Sequence, residues 1–156
     1  MKKLQNTILI SLLCVGMQTP NAFAENKIPQ SPTVSINHKT YHIIVVNTEA
    51  TREQGLSGRE KLDPDQGMFF VFDKKAKYSF WMKEMKFPID ILFINDHKIV
   101  TIFPSVPAPT PGTKLSQLPF YTAAAPANYV LELNAGEAAK YHFKVGDEVI
   151  VHHQTM

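Results

Sequence analysis

Cysteine occurs once in the chain, at position 14, so no intramolecular disulfide can form. The chain has no Gly-x-Ser-x-Gly elbow, no phosphate-cradling glycine loop and no His-Glu-x-x-His pair. Nucleophilic hydrolases and zinc peptidases thereby lose their usual sequence support. His38, His42, His97 and His142 are scattered without metal-ligand spacing. His152 and His153 are adjacent, and on a strand they would point to opposite faces.

The N-terminus carries Lys2 and Lys3, an apolar run over residues 8–17 and the small-residue ending Ala22-Phe23-Ala24. These are the three parts of a cleavable secretory signal, with the cut expected before Glu25. The run is far short of the ~20 residues that cross a bilayer as a helix. Cys14 does not read as a lipid-attachment cysteine, because Leu13 stands where a small residue is expected and no spacer follows. The expectation is an exported protein without stable membrane insertion, periplasmic in a double-membraned bacterium and otherwise extracellular.

Signal removal takes two of the 16 basic residues and leaves 14 against 14 acidic ones. A formally neutral domain does not suit nucleic acid, whose binders need basic excess. Cys14 leaves as well, and with it any thiolate nucleophile or cysteine metal ligand. Removing 24 of 156 residues leaves 132, enough for one hydrophobic core.

Residues 25–33, with two prolines, read as a flexible leader. Residues 34–36 and 41–47 flank Asn37-His38-Lys39 in a hairpin pattern. Thr48 and Thr51 are candidate N-caps of a helix that Gly55 and Gly58 shorten or break. Strands are expected at 68–72, 78–82 and 89–94, with Asn95-Asp96-His97-Lys98 closing a hairpin onto 99–103. Residues 105–119 hold four prolines and one glycine and read as a long irregular loop. Further strands are expected at 129–133 and 148–152, with a single helical turn at 136–140. Many short strands and little helix predict a mainly β sandwich or barrel, one domain over residues 34–153.

One set of motifs is specific when taken together. It comprises Thr51-Arg52-Glu53-Gln54-Gly55-Leu56, Arg59, Leu62, Gly67-Met68-Phe69-Phe70-Val71-Phe72, Phe80-Trp81-Met82-Lys83 and Pro88-Ile89-Asp90-Ile91-Leu92-Phe93-Ile94. Val130-Leu131-Glu132-Leu133, Gly136 and Lys144-Val145-Gly146-Asp147 complete it. The set resembles the bacterial and archaeal family known as domain of unknown function 192, over residues 34–151. The resemblance implies a compact, mostly β domain of jelly-roll-like character, often exported or lipid-anchored, and it transfers no mechanism. One departure is visible: Glu84-Met85 follows Trp-Met-Lys where the family usually has Asn-Thr.

The candidate ligand-binding residues are Arg52, Glu53, Gln54, Arg59, Trp81, Lys83, Asp90 and Glu132. Arg52 and Arg59 are two helical turns apart, so both guanidiniums would face one way on an unbroken helix. Such a pair suits a carboxylate or phosphate, or else structural ion pairs with Asp90, Glu132 or Asp147. Strand alternation puts Asp90 with Leu92 on a partly buried face, and Glu132 sits likewise between Leu131 and Leu133. Buried carboxyls need partners.

The leading expectation is a monomeric binding domain for a small molecule, glycan or envelope partner, without a cofactor. Its site would be bordered by the 52–59 segment, a strand carrying Trp81 to Lys83, and the 105–119 loop. One alternative is an enzyme acting on envelope glycans through Asp90 and Glu132 as a carboxyl pair. A second is a Cu(I) carrier using Met68, Met82, Met85, Trp81 and a histidine, since thioethers favour soft cations. Methionine is also ordinary core filler, and Trp81 beside Phe80 is ordinary core composition.

Overall fold

The computed structural model describes residues 31–152, so the expected signal, Cys14, most of the leader and His153 lie outside the described residues. Strands β1 (Thr33–Ile36) and β2 (Lys39–Val46) form the first hairpin. Asn37 at its turn has φ 53, a left-handed conformation that its short polar side chain tolerates. The chain then crosses through α1 (Glu49–Gln54) to β3 (Gln66–Ala76), which pairs with β2 in parallel. Parallel neighbours cannot be joined by a tight turn, so the 47–65 segment has to arch over one face of the sheet.

Next come β4 (Ser79–Phe80), β5 (Ile89–Asn95) and β6 (Lys98–Val106), the last two a hairpin turning at Asp96, φ 54. A long loop with one 3-10 turn leads to β7 (Tyr121–Thr122), which pairs only with β4. The chain closes with β8 (Ala127–Asn134), α2 (Glu137–Lys140) and β9 (Val149–His152). The main sheet has seven strands in the order β6-β5-β8-β3-β2-β1-β9. It curls until its two edges meet at one end. There Gly146 N–H donates to Ile99 O at 2.8 Å, Ile99 N–H to Asp147 O at 3.1 Å and Val149 N–H to His97 O at 2.8 Å. The result is an incomplete barrel, in keeping with the mainly β expectation.

Period-two alternation sorts the core into two layers. Val34, Ile36, Tyr41, Ile43, Phe69, Leu92, Ile94, Leu131, Leu133 and Val149 fill the concave side, with Ala138 of α2 as a plug. Gly67 belongs to this side because an added Cβ would stand 3.0 Å from Leu131 Cδ1 and Leu133 Cδ2 and 3.2 Å from Glu132 O. Val46, Met68, Phe70, Ile89, Ile91, Phe93 and Val130 face the convex side. Leu56 and Leu62 from the crossover, and Met82 and Met85 from the segment after β4, cover that layer. The convex layer thus lies between the sheet and irregular chain, and there the candidate site forms.

The expected strand at 78–82 shrinks to Ser79–Phe80. After Phe80 the chain turns, with Met85 N–H donating to Met82 O and Glu84 at φ 56, so Trp81 to Lys83 are not on a strand. Among the described residues no helix is long and apolar enough to cross a membrane.

Candidate functional site

The α1 helix is short because of its own caps. Thr48 Oγ1 accepts from Thr51 N–H while Thr51 Oγ1 accepts from Thr48 N–H, a capping box that fixes the start. Gly55, at φ 49 and ψ −134, ends the helix in a conformation that only glycine adopts easily. This termination corrects the expected alignment of Arg52 with Arg59. Arg59 lies beyond the helix and is exposed, whereas Arg52 stays on it. Arg52 Nη1 donates to Asn47 O at 2.6 Å and to Val71 O at 2.9 Å, and its guanidinium lies 5.1 Å from the Phe72 ring centre. Arg52 therefore ties α1 to the end of β2 and to β3. The ion pairs among the described residues join Lys39 to Asp65, Lys61 to Asp63, Lys75 to Asp96, Lys86 to Glu60 and Lys140 to Glu137, and none includes Arg52.

Between this helix and the sheet lies a cavity of about 240 Å³. The 52–57 segment forms one wall, Phe70, Phe72, Tyr78, Phe80 and Trp81 an aromatic one, and Ser79, Met85 and Glu132 complete the lining. Glu132 stands across from Met68 on β3 and from Ile91 on β5, both fully buried apolar residues. It is 6 % exposed, and among the described residues no hydrogen bond or ion pair offsets the burial of its carboxyl. Desolvation alone pushes its pKa up to about 8, so at neutral pH the group is mostly protonated. A perturbed acid in a cleft is a recognised mark of function.

Asp90 has the opposite environment. Ile91 faces Glu132 across the β5–β8 pair, so Asp90, one residue earlier, points to the other side of the sheet. Its Oδ1 accepts from Ser105 N–H at 2.7 Å and Gly136 N–H at 3.0 Å, and its Oδ2 from Ala138 N–H at 2.7 Å. Three donors occupy this carboxyl, which is fully buried. They fasten β5 to the start of α2 and to a bulge in β6, where Pro104 precedes Ser105 at φ 49. Asp90 and Glu132 thus sit on opposite faces and do not form the carboxyl pair that glycan hydrolysis requires.

Lys83 also stands apart. Its ammonium is 6.0 Å from the Trp81 ring centre, and the residue borders a separate groove with Gly58, Lys86 and the 108–118 loop. The single site expected among 52–59, Trp81 to Lys83 and 105–119 is therefore divided, with Met85 on the wall shared by cavity and groove. Trp81, 39 % exposed, stacks on exposed Phe120 with ring centres 5.7 Å apart. Met68, Met82 and Met85 are all buried members of the convex core layer. No histidine lines the cavity, and among the described residues no group of three His, Cys, Asp or Glu could hold a metal. Of the aromatic wall, Trp81 is among the candidates from sequence, and Phe70, Phe72, Tyr78 and Phe80 are not. Its signal was the convex-side alternation of Phe70 and Phe72 continued by Tyr78 and Phe80.

The model of the domain of unknown function 192 family, described as "Uncharacterized ACR", matches residues 32–151. The chain belongs to this family. This member is similar to a crystal structure of a protein of unknown function from Novosphingobium aromaticivorans, with TM-score 0.67 and 28 % identity over 76 % of this chain and 83 % of that one. It is also similar to a provisional transcription regulator from Sinorhizobium meliloti, with TM-score 0.69 and 27 % identity over 80 % and 97 % of the two chains. No curated protein matches the chain.

For this family member the two carboxyls predict opposite mutational outcomes. Asp90→Ala leaves one buried and two part-buried N–H groups without their acceptor and should cost about 3 kcal/mol in urea unfolding. Glu132 behaves differently because its folded pKa, about 8, lies above its ordinary value of 4.5. The folded state keeps a proton that the unfolded state has lost between those values, so stability is full below pH 4.5 and falls as pH rises through about 8. The loss amounts to up to roughly 5 kcal/mol. Glu132→Gln should remove this decline, so that thermal midpoints of variant and wild type diverge between pH 5 and 9 in favour of the variant.

Proposed function

We propose that this chain is an exported small-molecule binding domain whose site is the Glu132 cavity. The observation that carries the reading is a carboxyl on a nearly fully buried residue that borders a cavity and has no hydrogen-bond or ion-pair partner among the described residues. Leaving such a group unsatisfied costs free energy, and a ligand that bonds to it recovers part of that cost. The walls combine apolar and aromatic surface with an about equal share of polar surface from Arg52, Glu53, Gln54, Ser57, Ser79 and Glu132, and small-molecule pockets pair apolar surface with polar groups that fix orientation. Arg52 is held rigidly by two carbonyls, and the capped helix and Gly55 fix the wall opposite the sheet. Export rests on the N-terminal pattern of Lys2, Lys3, the apolar run and Ala22-Phe23-Ala24. The label of the Sinorhizobium relative does not carry over readily, because the chain after its signal would be formally neutral.

The exposed Trp81–Phe120 stack at the cavity rim favours one second reading, in which a glycan lies against these rings. Trp81 is the only tryptophan of the chain and lines the cavity, so its emission reports on both readings. A fragment library and a set of envelope oligosaccharides should be titrated against the purified protein with Trp81 fluorescence as readout. The expected result is a class of small fragments that shifts the emission and loses at least about tenfold in affinity in Glu132→Ala. Binding that Phe120→Ala abolishes and Glu132→Ala leaves untouched would favour the glycan reading instead.

A further inference from the structure

The cavity is lined by a buried acid, Glu132, whose ionised form has no ion pair among the described residues. Arg52, the basic side chain on its wall, spends Nη1 on Asn47 O and Val71 O and does not offset the burial of Glu132. The other titratable side chains on the walls are Glu53 of α1 and Tyr78 ahead of β4, and the strands beside Glu132 present Met68 and Ile91. A divalent metal ion would want several oxygen ligands; the lining offers one buried carboxyl and one exposed one, and the hydroxyls of Ser57, Tyr78 and Ser79 are already bonded to Lys83 O, Lys74 O and Thr122 Oγ1. What the lining does offer is aromatic faces, which attract cations. This aromatic cluster already holds two at its edge: the Arg52 guanidinium 5.1 Å from Phe72 and the Lys83 ammonium 6.0 Å from Trp81. A cavity of about 240 Å³ has room for on the order of eight water-sized groups.

We propose that the Glu132 cavity selects a small organic ammonium ion on an apolar body, with Glu132 as its counter-charge and the aromatic wall as its cage. The proposal rests on the reading of this cavity as the binding site and names the ligand class for it. An ammonium group supplies the charge partner that the protein lacks, and it is recognised by the rings as well as by the carboxyl. Because the empty site is mostly protonated at neutral pH, binding ionises Glu132 and sends its proton to solvent. Linkage then makes affinity rise with pH, by up to about tenfold per unit below about 8, for an amine that stays protonated throughout.

Benzylammonium and its neutral counterpart benzyl alcohol separate the possibilities, titrated calorimetrically against the full protein at pH 6.5 and 8.5. Buffers of different ionisation heat count the protons released. The expected result is benzylammonium binding at least tenfold tighter than benzyl alcohol at pH 8.5, weakening at pH 6.5, with proton release at the lower pH. Glu132→Gln should remove the preference, the pH dependence and the proton release together. Equal or tighter binding of benzyl alcohol overturns the ammonium inference while leaving the cavity as a binding site. Failure of both probes at millimolar concentration also overturns it, and the fragment titration then decides the wider reading separately.

Discussion

Adjacent rungs of the β5–β8 ladder bury two carboxyls on opposite faces of one sheet, and the rest of the architecture follows from what each face provides. On the concave side, Asp90 meets three backbone N–H groups and becomes the joint between β5, the β6 bulge and α2. Those donors come from chain that has left regular pairing, so the carboxyl satisfies groups that the sheet cannot. On the convex side, Glu132 meets Met68, Ile91 and a cavity. The first carboxyl stabilises the fold, and the second burdens it increasingly as pH rises from 4.5 to about 8. Such a cost, concentrated in a single group beside a cleft, is expected at sites retained for binding or chemistry.

The cavity exists because β2 and β3 run in parallel. Their crossover brings α1 over the convex face, and the capping box and Gly55 keep that helix too short to cover it fully. The small β4–β7 pair closes the opposite side and brings the Tyr78 to Trp81 aromatics toward the helix. The aromatic rings also brace one another: Phe72 stacks on Tyr78 with centres 3.8 Å apart, and Phe80 meets Phe70 edge-on at 4.9 Å. A wall built this way needs little rearrangement before a ligand enters, which lowers the ordering cost of binding.

The features legible in the sequence were those written in local chemistry. Asn37 and Asp96 announced their hairpins because left-handed turn residues are few in kind, and the aliphatic alternation around Ile91 and Leu131 placed the central strands. The parallel β2–β3 pairing was not legible, since nothing in either strand records which neighbour it will have. β7 escaped because a two-residue strand has no periodicity. Arg52 and Arg59 were read as one helical face because their spacing fits, but Gly55 decided otherwise. The site was partly visible: Arg52, Glu53, Gln54, Trp81 and Glu132 meet at one cavity, while Arg59, Lys83 and Asp90 do not line it. Asp90 and Glu132 looked alike because each sits between aliphatic residues on a strand. Only the register shows that the donors lie on one side of the sheet and the cavity on the other.

Everything proposed for the cavity turns on Glu132, a buried acid without a partner among the described residues. Carbon-13 NMR titration of glutamate side-chain carboxyls in the ligand-free protein, with the Glu132 signal assigned by its absence in Glu132→Gln, measures this directly. The expected midpoint is about 8. A midpoint near the ordinary ~4.3 of a solvated glutamate would contradict it, because that carboxyl would then already have water or a protein donor to hold its charge.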